Sequence, residues 1–393
     1  MSGLLHIPSR AGIFSRQAHA DLPAGSYERE VGREGFGGQA THFYHRHPPT
    51  AWSDWDGPHR PRAFDFNPLA GEPCPLEAPT AAFNDHLRLR IWKTDVPMQH
   101  LARNADGDEL VFVHAGGGHL YCDYGHIEIR EGDYLLLPRG TMWRLEPSSP
   151  SFLLLLEATG GRYRLPDRGL LGEHALFDPA VLDVPQIDEH FLAQQGTRET
   201  RVRLKARQRI STITFPHNPL DALGWKGSLV PVRLNVRDIR PVLSDRYHLP
   251  PSAHSTFVTD RFAVCTFCPR PAETDPGALK VPFFHSNEDY DELLFLHAGR
   301  FFSRDGMGPG MMTFHPSGFP HGPHPGAYKA SMEAPRKHLQ EVAINIDARD
   351  ALQIPPAMAS LEREGHVDSW RGYLDTDPNA NAHGNADARV EAA

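Results

Sequence analysis

Between residues 283 and 324 the chain reads FFHSNEDYDELLFLHAGRFFSRDGMGPGMMTFHPSGFPHGPH, and two histidines and a carboxylate fall where they can converge on one metal. His285 and Asn287 are followed, after four intervening residues, by Glu292 and, after six more, by Gly299; Gly310, Pro316, Gly318 and His321 then follow with five, one and two residues between them. His285, Glu292 and His321 make a two-histidine, one-carboxylate set of the kind that binds Fe(II) on one face and leaves adjacent positions open for a bidentate substrate and O2. The same donors suit Mn(II), Zn(II) or Ni(II), so ligand type alone does not select iron. His315 and His324 flank His321, and His315, next to Pro316, is placed to reach a cavity as a substrate contact or as a donor to a ligand. His297 and His338 carry no such argument and read as core or surface residues.

Those spacings resemble the two-part signature of the cupins, small antiparallel β-barrels: H-x-H-x4-E-x6-G on one hairpin and G-x5-P-x-G-x2-H on a facing strand. Asn287 stands here for the second histidine. The elements that must position the ligands are therefore strands, and the punctuation agrees: 34 glycines and 36 prolines break the chain into short segments. From Leu87 the pattern alternates with period two (Leu87, Leu89, Ile91), and a meander follows through ELVFVHAG, HLYCDYG, HIEIREGD and YLLLPRG. That meander repeats the signature: Glu109, Gly116, Gly132, Pro138 and Gly140 keep the local spacings of Glu292, Gly299, Gly310, Pro316 and Gly318. In the ligand positions, however, stand Ala102, Asn104 and Trp143, and a lone Glu109 with an indole cannot hold a transition metal.

The expected architecture is all-β, a bicupin of two jelly-roll-type barrels with metal in the C-terminal one. Residues 1–80 read as an irregular arm, 81–165 as the degenerate barrel, 166–240 as a connecting segment, 241–355 as the metal-binding barrel and 356–393 as a partly disordered tail. IDEHFLAQQG is expected to form a short helix, and the ladder Arg198, Arg201, Arg203, Lys205, Arg207, Arg209 reads as a solvated strand face or subunit contact.

A net charge of −9 at pH 7 argues against a nucleic-acid partner and an anionic membrane surface. No window has the apolar length of a membrane span, and the start of the chain lacks the apolar run of a secretory signal, so the expected location is cytoplasmic. Four cysteines are too few for a disulfide scaffold, and Cys265 and Cys268, without a second pair, read as core thiols.

Residues 104–140, the segments RYRLPDRGLLG and NPLDALGWKGSLVPVRLNVRDI, and FPHGPH with YKAS resemble the homogentisate 1,2-dioxygenase family over most of the chain. The resemblance implies a ring-cleaving dioxygenase that takes a small aromatic substrate and O2, with Fe(II) on His285, Glu292 and His321. It further implies a substrate-contacting histidine at His315, a pocket wall that includes His324, and a homo-oligomer, trimer or hexamer. An acid or base histidine is implied upstream of RFAVCTF, at His254 in preference to His248. Two pocket tyrosines of the family are Phe283 and Phe301 here, and the carboxylate follows His285 by seven residues where the family has six. The missing hydroxyls leave open gentisate-like or alkylhydroquinone substrates. A bicupin that binds a metal or a small ligand without turnover and a metal-dependent isomerase or decarboxylase are the readings from other classes.

Overall fold

The computed structural model describes residues 7, 9–333 and 335–376. In the strand Leu87–Thr94, Leu87, Leu89 and Ile91 enter one apolar core while the intervening Arg90 and Trp92 are buried on the opposite face. Alternation that buries both faces marks a wall between two interiors. That wall belongs to a ten-stranded sheet whose longest strands, Gly107–Cys122 and Met142–Thr159, pair antiparallel with bulges between Pro147 and Leu153. The sheet bends at Gly116, whose φ of 78° and 2.5 Å approach of a Cβ to the Pro150 carbonyl would exclude a side chain.

The second barrel sets a six-stranded sheet against a three-stranded one. The first runs in space Ser255–Val258, Phe262–Phe267, Val342–Ala348, Asp291–Ala298, Met311–His315, Arg62–Asp65; the second runs Phe284–Asn287, Tyr27–Gly32, Ala40–His45. The molecule is thus a bicupin. Leu110, Phe112, Leu154 and Leu156 of the first sheet share one apolar cluster with Phe257, Val264, Phe295 and Ile344 of the second, so the barrels pack face to face.

Two sequence expectations need correction. Residues 1–80 are not merely an irregular arm: they supply strands to both sheets of the second barrel, and Tyr27–Gly32 pairs in parallel with Phe284–Asn287. Residues 166–240 also join a sheet. Thr200–Ala206 pairs with Leu101–Asn104, and Val232–Asn235 with Asp133–Leu137. The tail folds as far as residue 376 in short helical turns, Pro356–Leu361, His366–Trp370 and Gly372–Thr376, while residues 377–393 lie outside the described ones.

The helix in IDEHFLAQQG is present at Glu189–Ala193, capped by the Asp188 carboxylate, which accepts from the Phe191 amide. The basic ladder divides: Arg203 reaches Glu77 at 2.5 and 2.7 Å and Lys205 is buried on Asp106 and Glu157, whereas Arg201, Arg207 and Arg209 are exposed. All four cysteines are buried and free. Among the described residues no helix is long and apolar enough to cross a membrane.

Trp370 anchors the tail. It is fully buried, its Nε1 donates to the Gly322 carbonyl at 3.2 Å, and its ring meets those of His324 and Trp52 at 4.7 and 5.4 Å. Trp370→Ala should lower unfolding stability by about 3–5 kcal/mol in urea denaturation; a loss within 1 kcal/mol on the same scale would show that the tail is not part of the cooperative core.

Candidate metal centre

The three expected ligands come from different elements. His285 lies on Phe284–Asn287, Glu292 on Asp291–Ala298, and His321 follows the strand Met311–His315 in a loop rich in glycine and proline. His285 and His321 form an isolated antiparallel bridge, with reciprocal N–H···O=C bonds of 2.9 and 2.8 Å. Their Nδ1 atoms lie 3.0 and 3.2 Å from the Phe283 and Phe319 carbonyls and so carry the ring protons. Each Nε2 then presents a lone pair towards Glu292, at 4.0 Å from Oε2 for His285 and 3.5 Å from Oε1 for His321. One ligand atom from each of the three lies within 4.8 Å of the others, and His321 Nε2 is buried without a hydrogen-bond partner.

The electrostatics suit a cation. Burial, reinforced by His321, lowers the His285 pKa to about 3, so the ring is neutral and free to coordinate. Burial opposes ionisation of Glu292, but His321 and a hydrogen bond from His315 outweigh it and hold the carboxyl well below its usual range. Across the sheet, Asp347 is in register with Glu292, and burial together with the Glu292 charge keeps its carboxyl well above the ordinary value. Two imidazoles, one carboxylate and an unpartnered inward Nε2 fit a divalent first-row metal.

The centre opens onto a cavity of about 120 Å³ whose wall includes His285, Glu292, Phe283, Phe301, His248, His254 and Arg304. His248 Nδ1 lies 2.8 Å from Glu273 Oε1, and its Nε2 is buried without a partner. His254 is held neutral, its pKa lowered to about 3 by burial and then by Arg270 and His248, and its Nδ1 has no partner. Arg304 is buried with Nε unpaired, while its Nη1 donates to the Ser303 and Gly322 carbonyls. Burial pulls its pKa down to about 10, against the opposing charge of Glu292, and it remains a cation at neutral pH.

Two expectations are corrected. His315 does not line the cavity: it is fully enclosed, stacks on His321 at 4.1 Å, and donates from Nδ1 to Glu292 Oε1 at 2.8 Å. Register explains this, since His315 is the cross-strand partner of Glu292. His324 is also fully buried off the cavity, its Nδ1 accepting from the Asp305 amide at 3.0 Å. Sequence reasoning missed Glu273 and Asp347, which no motif marks. Arg304 had one available signal, a cation three residues after Phe301 between the two halves of the signature.

In the first barrel the corresponding interior is filled. Trp143 packs on Trp92 at 5.9 Å beside Ala102, and Glu109 is paired with Arg90. Glu157 joins them, accepting from Asn104 and Lys205 at 2.7 Å each.

Removing the His315 donor should loosen the Glu292 carboxylate without deleting a ligand. His315→Phe is expected to weaken divalent-metal affinity about 10- to 100-fold in chelator competition, and Glu292→Ala to weaken it much further. Equal affinities for His315→Phe and the parent chain would disconnect His315 from the centre.

The family "Homogentisate 1,2-dioxygenase N-terminal" matches residues 74–236. A protein of Saccharolobus solfataricus named "Putative dioxygenase" is 30% identical over 362 residues, which cover 87% of this chain and 92% of that protein. The homogentisate 1,2-dioxygenase of Bradyrhizobium diazoefficiens is 26% identical over 285 residues, 68% of this chain, and the match spans 62% of its length. Protein Ylba from E. coli, a solved structure, is 9% identical, with 78% of this chain and 98% of that chain covered at a TM-score of 0.37, too distant to carry a residue across.

Proposed function

We propose that this chain, which belongs to the homogentisate 1,2-dioxygenase family, is an Fe(II)-dependent ring-cleaving dioxygenase acting on a hydroquinone that bears an acidic side chain. Homogentisate is the leading substrate, with maleylacetoacetate as product in aromatic amino-acid catabolism. The observation that carries this reading is a single cavity where His285 and Glu292 face a histidine–glutamate pair and an unpaired arginine nitrogen. Iron on His285, Glu292 and His321 would offer neighbouring positions to a chelating phenolate and O2 and let the ring supply the electrons.

The chain's own residues do the rest. Glu273 fixes the His248 ring through Nδ1–H, which leaves Nε2 as the acceptor for a phenolic proton. His254, preferred on sequence, is buried and neutral beside it and is assigned to orienting a hydroxyl. Phe283 and Phe301 pack on the ring faces and exclude water, and Arg304 Nε receives the substrate carboxylate. A second reading, a less polar alkylhydroquinone, is favoured by the two phenylalanines, which offer no hydroxyl to a polar side chain. Cytoplasmic location and trimeric or hexameric assembly belong to the same proposal.

With the apo-protein loaded with Fe(II), one O2 should be consumed per ring cleaved. His248→Gln should lower kcat about 10²- to 10⁴-fold. Arg304→Met should raise KM for homogentisate and gentisate about 10- to 100-fold and leave an alkylhydroquinone unaffected. Turnover under strict anaerobiosis would replace the dioxygenase reading by an isomerase or decarboxylase.

A further inference from the structure

A second group of imidazoles and carboxylates lies behind the cavity wall, in the segment read from sequence as irregular. His19 sits in the loop before Tyr27–Gly32; Glu28 and Glu30 project from one face of that strand; His42 and Tyr44 are their partners across the sheet on Ala40–His45. Glu28 accepts from both rings, at 2.7 Å from His19 Nδ1 and 3.1 Å from His42 Nδ1, and from the Tyr44 hydroxyl at 3.1 Å. With both Nδ1 atoms anchored, the two Nε2 atoms face the Glu30 carboxylate at 3.1 and 4.0 Å. One ligand atom each from His19, Glu30 and His42 lies within 4.8 Å of the others.

This is how a carboxylate orients histidines for a metal: it takes the Nδ1 proton, fixes the tautomer and raises the basicity of Nε2. Bonds of about 2.0–2.2 Å to one ion place ligand atoms roughly 3–3.5 Å apart, and the 3.1 and 4.0 Å separations bracket that spacing. A proton on His19 would serve the shorter contact, but the 4.0 Å gap from His42 to Glu30 is too long for a hydrogen bond. His19, Glu28 and Glu30 are each less than 8% exposed, so the two carboxylates sit where uncompensated charge is costly.

We propose that His19 Nε2, His42 Nε2 and the Glu30 carboxylate hold a second divalent transition-metal ion, of the class that takes Zn(II), with Glu28 orienting both rings and water completing the shell. Its role is structural. The His19 ring stacks on Phe283 at 3.8 Å, and the Glu30 Cα pairs with that of His285, so an ion there ties the loop and both strands to the back of the cavity.

The full chain carrying His285→Ala and His321→Ala lacks two ligands of the first centre and isolates the second. Titrated as apo-protein with Co(II), it should bind one equivalent, seen as visible d–d bands that Zn(II) displaces. Adding Glu30→Gln, which is nearly isosteric, or His42→Ala, at a partly exposed side chain, should abolish the bands while circular dichroism shows the fold retained. The parent chain should bind two equivalents and lose one on either substitution. A folded double variant that binds no Co(II), or bound Co(II) that survives both Glu30→Gln and His42→Ala, overturns the proposal. If the double variant does not fold, the parent stoichiometry decides. One equivalent, lost with His285→Ala, leaves the first centre standing and removes the second.

Discussion

Two backbone hydrogen bonds between His285 and His321 govern the candidate centre. They close a bridge between a strand of the three-stranded sheet and the loop that leaves the six-stranded one, and so set the separation of two ligands that secondary structure alone would leave independent. Glu292 comes from a third position, and its direction is fixed separately, by His315 from the adjoining strand. Side-chain ligands can converge because backbone geometry has already brought their Cα atoms together. The glycines of the second motif serve this end: Gly318, with φ of 78°, donates to the Asn287 carbonyl at 2.9 Å and turns the loop back towards the first hairpin.

What could be read from the sequence follows from this division. Each half of the signature is local, because hairpin register and turn glycines act over a few residues, so His285, Glu292 and His321 were legible as a set, and the copy around Glu109 was legible as its degenerate relative. Contacts closed over long loops leave no local trace. The strand Tyr27–Gly32 pairs with residues more than 250 positions away, and its short partner Ala40–His45 is half exposed, so no clean period announces either. His248 and Glu273 meet from either side of the strand pair Ser255–Val258 and Phe262–Phe267, with no motif at either end. The position of His315 next to Pro316 and the family resemblance both point it at the cavity, whereas cross-strand register sends it to Glu292.

The two barrels show what one buried carboxylate demands. Glu109 and Glu292 hold equivalent positions, and neither can remain charged and unpaired in an interior. Burial pushes the Glu109 carboxyl upward, while Arg90 beside it pulls the other way, and Lys205 and Asn104 complete a fixed ionic cluster through Glu157. Trp143 and Ala102 remove the remaining ligand geometry. Around Glu292 the Nε2 atoms of His285, held neutral by burial, and of His321 face the carboxylate, so a bound cation would compensate its charge and the position stays open to chemistry.

The same reasoning bears on why residues 9–80 are threaded through the second barrel at all. A jelly-roll wall ending at Phe284–Asn287 would expose an edge strand beside the candidate ligand His285, with unpaired backbone groups and freedom to shift. Tyr27–Gly32 covers that edge, and the network of His19, Glu28, Glu30 and His42 fastens the covering strand to its own neighbours and to the ring of Phe283. The polar residues of the arm are therefore placed where rigidity of His285 and of the cavity wall is decided. Burying so many ionisable groups is costly unless they act as one compensated cluster, and the ordering of a ligand-bearing edge is the structural gain that offsets the cost.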